Sequence, residues 1–324
     1  LAQTQWANLS IGSLKTQFYY LSIIYYIFRQ PEKTNIMSQQ IAQIITSYGR
    51  RYIVRTADQI TYEASTRRKR TDYACGDFVR IQIVNGEQAV IERAEERHSL
   101  LYRQDAWKSK LIAANVSQLI IVIAAVPSPS EALLQRALIA AEAADIRAVI
   151  VLNKADLPET TAWRERLSFY ETLGYQVIEL SALHDVGSLK TLLSGETNIL
   201  LGQSGMGKST LTNALLGEHI ARTNDISAAL DSGKHTTTHA QLYDLDEQTK
   251  LIDSPGLQEF GLHHLSITDL PRYFPDLRHL IGQCRFHNCS HRAEPNCAFK
   301  IAAEKGEIRV ERLALLQKIT DELS

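Results

Sequence analysis

Apolar residues follow two different rhythms along this chain. Early on they alternate: Val79, Ile81 and Ile83 are interleaved with Arg80 and Gln82, and Asn85-Gly86 offers a two-residue turn into Ala89-Val90-Ile91. Arg51-Tyr52-Ile53-Val54-Arg55 and Ile60-Thr61-Tyr62-Glu63-Ala64 read as further short strands. Several such strands within residues 40–102 predict a small closed barrel of the OB-fold kind. Further on the apolar runs become continuous. Residues 118–126 and 147–152 have the uniform character of parallel strands covered on both faces. Residues 175–180 and 197–201 add two more strands. Residues 130–144 have the spacing of an amphipathic helix, and Lys208–Leu216 puts Leu211, Leu215 and Leu216 on one helical face. A last helix is predicted over 307–323. The pattern is that of a multidomain α/β protein with an N-terminal barrel.

The turns between these elements carry chemistry. Gly202-Gln203-Ser204-Gly205-Met206-Gly207-Lys208-Ser209 matches G-x-x-x-x-G-K-[ST] between a strand and a helix. Backbone N–H groups there form a nest for phosphate oxygens, with Thr210 next in the cradle. Lys208 reaches the β- and γ-phosphates, and the Ser209 hydroxyl suits Mg²⁺. Asn153-Lys154-Ala155-Asp156 follows a different strand. Asp156 can accept two hydrogen bonds from guanine, a donor pair adenine lacks. Asn153 is expected at the base's other edge and the Lys154 stem over the ring face. Ser181-Ala182 suits an accessory guanine loop. In Asp253-Ser254-Pro255-Gly256, Asp253 would hold Mg²⁺ through water, and the Gly256 N–H would meet the γ-phosphate.

The polar stretch 222–239 contains Gly233-Lys234-His235-Thr236-Thr237-Thr238 and reads as a switch, with Thr237, or else Thr238, the second Mg²⁺ ligand. Leu257 stands where many such proteins place a water-orienting Gln. Slow intrinsic hydrolysis follows, with Lys208 and His235 as the catalytic pair; the alternative for His235 is packing within the switch. The base-reading loop precedes the phosphate loop, the reverse of the ordinary order. These are the parts of a GTP-binding domain in circularly permuted sequence.

Composition changes the picture in three places. Cys284, Cys289, His291 and Cys297 give three thiolates and an imidazole at spacing suited to one structural zinc; disulfides are the alternative, but would leave a cysteine odd. The fourth cysteine, Cys75, reads as a small buried hydrophobe. Net charge is only −1, so any nucleic-acid binding must come from a local patch. Arg50, Arg51 and Arg55 with Arg67-Arg68-Lys69-Arg70 form one, unless that loop is simply solvated. Residues 1–36 fit none of this. Their apolar stretch 18–28 falls short of the roughly twenty residues a span needs, and Met37 makes a natural start. They read as an over-extended gene model, or else as a membrane-associating helix.

From about Met37 to Leu316 the chain resembles the ribosome small-subunit-dependent GTPase A family. The likeness rests on the three nucleotide motifs, His235-Thr236-Thr237-Thr238, Glu259-Phe260-Gly261-Leu262 and the Cys/His quartet. It implies an OB-fold barrel (37–103), a circularly permuted GTPase domain (104–263) and a helical zinc-binding domain (264–324). It further implies a monomeric cytoplasmic factor, not membrane-bound, that binds the small (30S) ribosomal subunit and its 16S rRNA late in maturation. There it would hydrolyse GTP to GDP under stimulation by the subunit and help release another assembly factor. One departure is Gln258, where the family usually has Arg. A GTP-regulated RNA-binding placeholder with little turnover is the other reading that Leu257 allows.

Overall fold

The computed structural model describes residues 39–49, 51–67, 73–104, 109–217, 239–256 and 260–324. Strands β1 (Gln39–Tyr48), β2 (Arg51–Thr56), β3 (Thr61–Thr66), β4 (Phe78–Ile83) and β5 (Gln88–Ala94) pair in the order β1-β2-β3-β5-β4, and β4 returns to β1. The ring is closed, which removes its edges. Alternation supplies the inside: Ile44, Tyr52, Val54, Ala64, Val79, Ile81 and Ile91 form a buried core of their own. A hairpin follows, β6 (Leu100–Gln104) with β7 (Ser109–Ala114), and it straddles the division expected at residue 103.

The second sheet is built from β8 (Gln118–Ala124), β9 (Arg147–Asn153), β10 (Gln176–Glu179), β11 (Thr197–Leu201) and two strands the alternation barely signals, β12 (Gln241–Asp244) and β13 (Lys250–Asp253). Their order is β10-β9-β8-β11-β13-β12, parallel except for β12. Every residue of β8 is buried, as its unbroken apolar run requires. Helices α1 (Glu131–Ala143), α2 (Thr160–Thr172), α3 (Gly187–Leu193) and α4 (Lys208–Leu216) connect the strands. Ser130 starts α1 by accepting the Leu133 N–H. The sheet continues past β12 into β1 of the barrel, so strands of both parts form one ribbon.

Residues beyond 260 add 3-10 turns at Leu270–Tyr273 and Arg278–Leu280, then α5 (Ala298–Glu304) and α6 (Val310–Leu323). They share one apolar core with the second sheet, through Leu270, Phe274, Phe299, Leu316 and Ile319. Polar clamps reinforce it. Arg312, 4 % exposed, donates to both oxygens of Asp276 and lies 4.6 Å over the Phe274 ring. Arg309 sits 3.6 Å over Phe169 of α2, Arg136 of α1 pairs with Glu322, and Arg278 pairs with Glu142. Removing one partner of a buried pair such as Arg312–Asp276 costs about 3–5 kcal/mol, because the other charge is left desolvated. Among the described residues no helix is long and apolar enough to cross a membrane.

Candidate functional site

The expected nucleotide residues in described positions all lie at the carboxyl ends of parallel strands. β9 ends in Asn153 and opens into Lys154-Ala155-Asp156; the loop after β10 carries Ser181 and Ala182. β11 runs into Gly202 and β13 ends in Asp253. In an open α/β sheet this rim is where ligands bind. Chain order plays no part in it: rotating the sequence leaves these strand ends as neighbours.

The phosphate loop is closed by its own neighbours. Gly207, at φ 90°, precedes the first turn of α4, and a Cβ there would lie 2.3 Å from Asn153 Nδ2. Only glycine permits both the conformation and the approach. Lys208 is buried, its Nζ donating to the carbonyls of Gly202 (2.8 Å) and Gln203 (2.9 Å). Burial draws its pKa below the ordinary lysine value, and nearby Asp253 partly offsets this. A phosphate would restore the favoured charged form. Ser209 and Thr210 stand exposed on the first turn of α4. Gly256 lies against this loop, its Cβ direction 3.1 Å from Ser204 N and 3.4 Å from Lys208 Nζ. Asp253 lies near enough to Lys208 to act on its charge, and Ser209 and Asp253 are oxygen donors of the kind Mg²⁺ takes.

The guanine loop departs from expectation in one respect. Asn153 is buried, and its amide faces inward, donating to Met206 O (3.0 Å) and accepting from Ala182 N (3.0 Å). It joins phosphate loop, base loop and accessory loop, because a buried amide must satisfy both ends where partners are offered. Lys154 Nζ donates to Val126 O and Gly205 O, each at 2.8 Å, so this side chain is also a strut. Asp156 is exposed, and the Ser181 hydroxyl, its own N–H, His184 and Lys154 hold its carboxyl below the usual range. Sequence reasoning missed another strut: Gln203 accepts the Ser130 N–H at 2.6 Å, tying the phosphate loop to the start of α1. His235, Thr237, Leu257 and Gln258 fall outside the described residues, as do residues 1–36, Arg50 and Arg68-Lys69-Arg70.

Where it is described, the basic patch has acceptors beside it. Arg51 pairs with Glu63, Arg67 with Glu92 and Gln82, and Arg55 with Asp244. Each guanidinium already faces an acceptor across the strands.

Cys284, Cys289, His291 and Cys297 converge, their ligand atoms all within 4.8 Å of one another. Cys284 and Cys297 sulfurs are 3.9 Å apart, and each lies 3.6 and 3.5 Å from His291 Nδ1. A tetrahedron with Zn–S about 2.3 Å and Zn–N about 2.05 Å has edges of roughly 3.8 and 3.6 Å. The three edges among Cys284, Cys297 and His291 fit closely, and a disulfide among these thiols is not formed. The loop is pre-shaped around it: Glu294 accepts from Ser290 Oγ and from the N–H groups of Ser290 and Arg292, which lowers its pKa to about 2. Phe299 of α5 stacks on the His291 ring at 3.9 Å. Cys75 is wholly buried, and burial beside Asp77 pushes its thiol far up, an inert hydrophobe as its sequence setting suggests.

Known proteins match on the same features. A family model described as RsgA GTPase matches residues 94–263. A protein of Neisseria meningitidis serogroup C named small ribosomal subunit biogenesis GTPase RsgA is 76 % identical over 282 residues, covering 87 % of this chain and 92 % of that one. A protein of the same name from Nitrosospira multiformis is 46 % identical, covering 91 % and 95 %. Among solved structures, YjeQ from Thermotoga maritima superposes with a TM-score of 0.65 at 27 % identity, covering 88 % of this chain and 99 % of that one. YloQ, described as a circularly permuted GTPase, gives 0.61 at 25 %, covering 90 % and 97 %.

Proposed function

The chain belongs to the RsgA GTPase family and is a GTP hydrolase, and we propose that it works on the small ribosomal subunit during the last steps of that particle's assembly. The observation that carries this is the shared rim: base loop, phosphate loop and Asp253 lie along one edge of the same sheet, at the ends of β9, β11 and β13, in a chain 76 % identical to a protein named for that role.

In this reading Asp156 selects guanine, and residues 202–210 hold the phosphates through backbone N–H groups. Lys208 moves its charge from the Gly202 and Gln203 carbonyls to the β- and γ-phosphate oxygens. Ser209 and Thr237 would be the direct ligands for Mg²⁺, with Asp253 behind a water, and the ion would supply positive charge against the phosphate oxygens. His235 positions water or stabilises that charge, since Leu257 cannot. The Cys/His quartet holds one structural Zn²⁺ that rigidifies the loop before α5. The barrel and its basic loop 67–70 face 16S rRNA, and hydrolysis helps release another assembly factor. The protein acts as a monomer in the cytoplasm.

GTP turnover by protein beginning at Met37, measured with and without purified small subunits, tests the reading. Strong stimulation is expected. Turnover that subunits leave unchanged would favour the placeholder role that Leu257 allows, and equal binding of GDP and ADP would remove the guanine assignment.

A further inference from the structure

The seam between barrel and second sheet is partly apolar, since Ile45 of β1 and Cys75 pack on the second sheet's core, and partly polar. The barrel has a separate apolar core, whereas residues beyond 260 share theirs with the second sheet. The strand pairing that joins the barrel to that sheet falls on one short strand. In β12, Gln241 lies opposite Thr46 of β1 on one side and opposite Asp253 of β13 on the other. At its far end, Asp244 accepts from Arg55 of β2 at 2.5 Å and from Lys250 of β13 at 2.9 Å. Just before it, the His239 ring meets Tyr48 of β1 at 4.3 Å. Burial works against charge on Asp244, yet the hydrogen bonds from Arg55 and Lys250 hold its carboxyl below the ordinary range.

β12 also lies between the two segments expected to sense the γ-phosphate. The stretch 222–239 ends at its start, and Asp253 is its partner across the ladder. A one-residue slip of β12 between its two neighbours would move Gln241 off both Thr46 and Asp253 and invert the faces of the strand. Arg55–Asp244 is the charged contact that fixes this register from the barrel side, and it lies partly shielded, where a guanidinium–carboxylate pair is stronger than on open surface.

We propose that Arg55 and Asp244 are positioning residues for GTP hydrolysis: through β12 they set Asp253 and the switch exit, so that barrel docking is a condition for a competent γ-phosphate site. Arg55 then serves the nucleotide, not an RNA phosphate. The inference rests on the GTPase reading but not on the subunit as partner.

Arg55→Met, Asp244→Asn, the double variant and Arg55→Lys are compared in the Met37-start protein, first without ribosomal particles. A coupling of ordinary size between sites predicts a fall in intrinsic kcat of roughly five- to tenfold for each single variant. GDP affinity and zinc content should stay at wild-type values. The double variant should be no worse than either single, as one shared link requires, and Arg55→Lys should recover part of the loss. Wild-type intrinsic kcat in both single variants overturns the proposal. So does a fall in GDP affinity equal to the fall in kcat, which would mark general damage to the fold. Adding small subunits separates the readings. If Arg55→Met keeps its intrinsic kcat but binds subunits with a shallower salt dependence, Arg55 contacts RNA phosphate and the proposal fails. If subunits stimulate no variant and not the wild type, the subunit role fails while the intrinsic kcat values still decide the inference.

Discussion

Asn153→Ala tests whether the inward-facing amide, rather than an edge contact with the base, is what this residue contributes. The substitution removes the donor to Met206 O and the acceptor for Ala182 N, both 3.0 Å bonds in a buried setting. A buried group left without its partner costs about 1–3 kcal/mol, so the two together cost about 2–6 kcal/mol. At 1.4 kcal/mol per tenfold, that range runs from roughly thirty-fold upward. Both bonds hold loops at the rim of the sheet, where backbone relaxation and entering water recover part of the loss, so the lower end applies. GDP affinity should therefore fall about thirty- to a hundredfold, read by displacement of a fluorescent guanine nucleotide. Zinc content and subunit binding should be kept. Asn153→Asp should be worse than Asn153→Ala, because its second oxygen would face the Met206 carbonyl. GDP affinity within threefold of wild type for Asn153→Ala would refute the reasoning.

Metal analysis should return one zinc per chain, and Cys289→Ser should lose it while GDP binding survives; no zinc, or a disulfide among these cysteines in freshly purified protein, contradicts the site. His235→Ala should depress subunit-stimulated kcat strongly with little change in GTP affinity, the pattern of a transition-state contact. Full stimulated turnover would move the catalytic role to the subunit or to Gln258. The half-buried ring of His264 packs on Tyr102 at 4.1 Å, and burial, with His263 beside it, lowers its pKa to about 4. It is neutral in the fold, so the unfolded chain binds the proton first: its contribution is complete above pH 6.5 and is lost as pH falls from there towards 4. Melting temperature should decline over that window, and His264→Phe should flatten the decline; an unchanged slope would show that other groups cause it.

Legibility in the sequence followed distance along the chain. The residues of the phosphate loop are consecutive, and their chemistry is fixed by a strand on one side and a helix on the other, so Lys208–Leu216 could be placed to the residue. The same holds for the quartet between Cys284 and Cys297, whose short spacing already confines the ligands. Continuous runs such as β8 and β9 announced a doubly covered sheet, and alternation in β4 announced the barrel. Choice of distant partner was not legible. Nothing near Arg55 points to Asp244, and a cluster of arginines looks alike whether it faces solvent, RNA or an acid on another strand. Asn153 belonged to a base-reading motif, yet its immediate partners come from two loops that only the fold brings beside it. β12 is too short and too polar to declare itself, although it holds two parts of the protein together.

The pairing of β1 with β12 also has a consequence for the order in which the chain folds. Thr46 and Gln241 are roughly two hundred residues apart, and contacts of such separation form late because the intervening loop must close first. The five barrel strands are close in sequence and bury their own core, so they are able to assemble as soon as Ala94 is made. The parallel sheet must wait for β13, its central neighbour to β11, and only then is there an edge for the barrel to join. Refolding should therefore show an early step that protects amides of β2 and β3, followed by a slower one that protects Gln241 and Leu242. During the interval, the stretch of β1 at Thr46 lacks its β12 partner and is open to wrong strand partners.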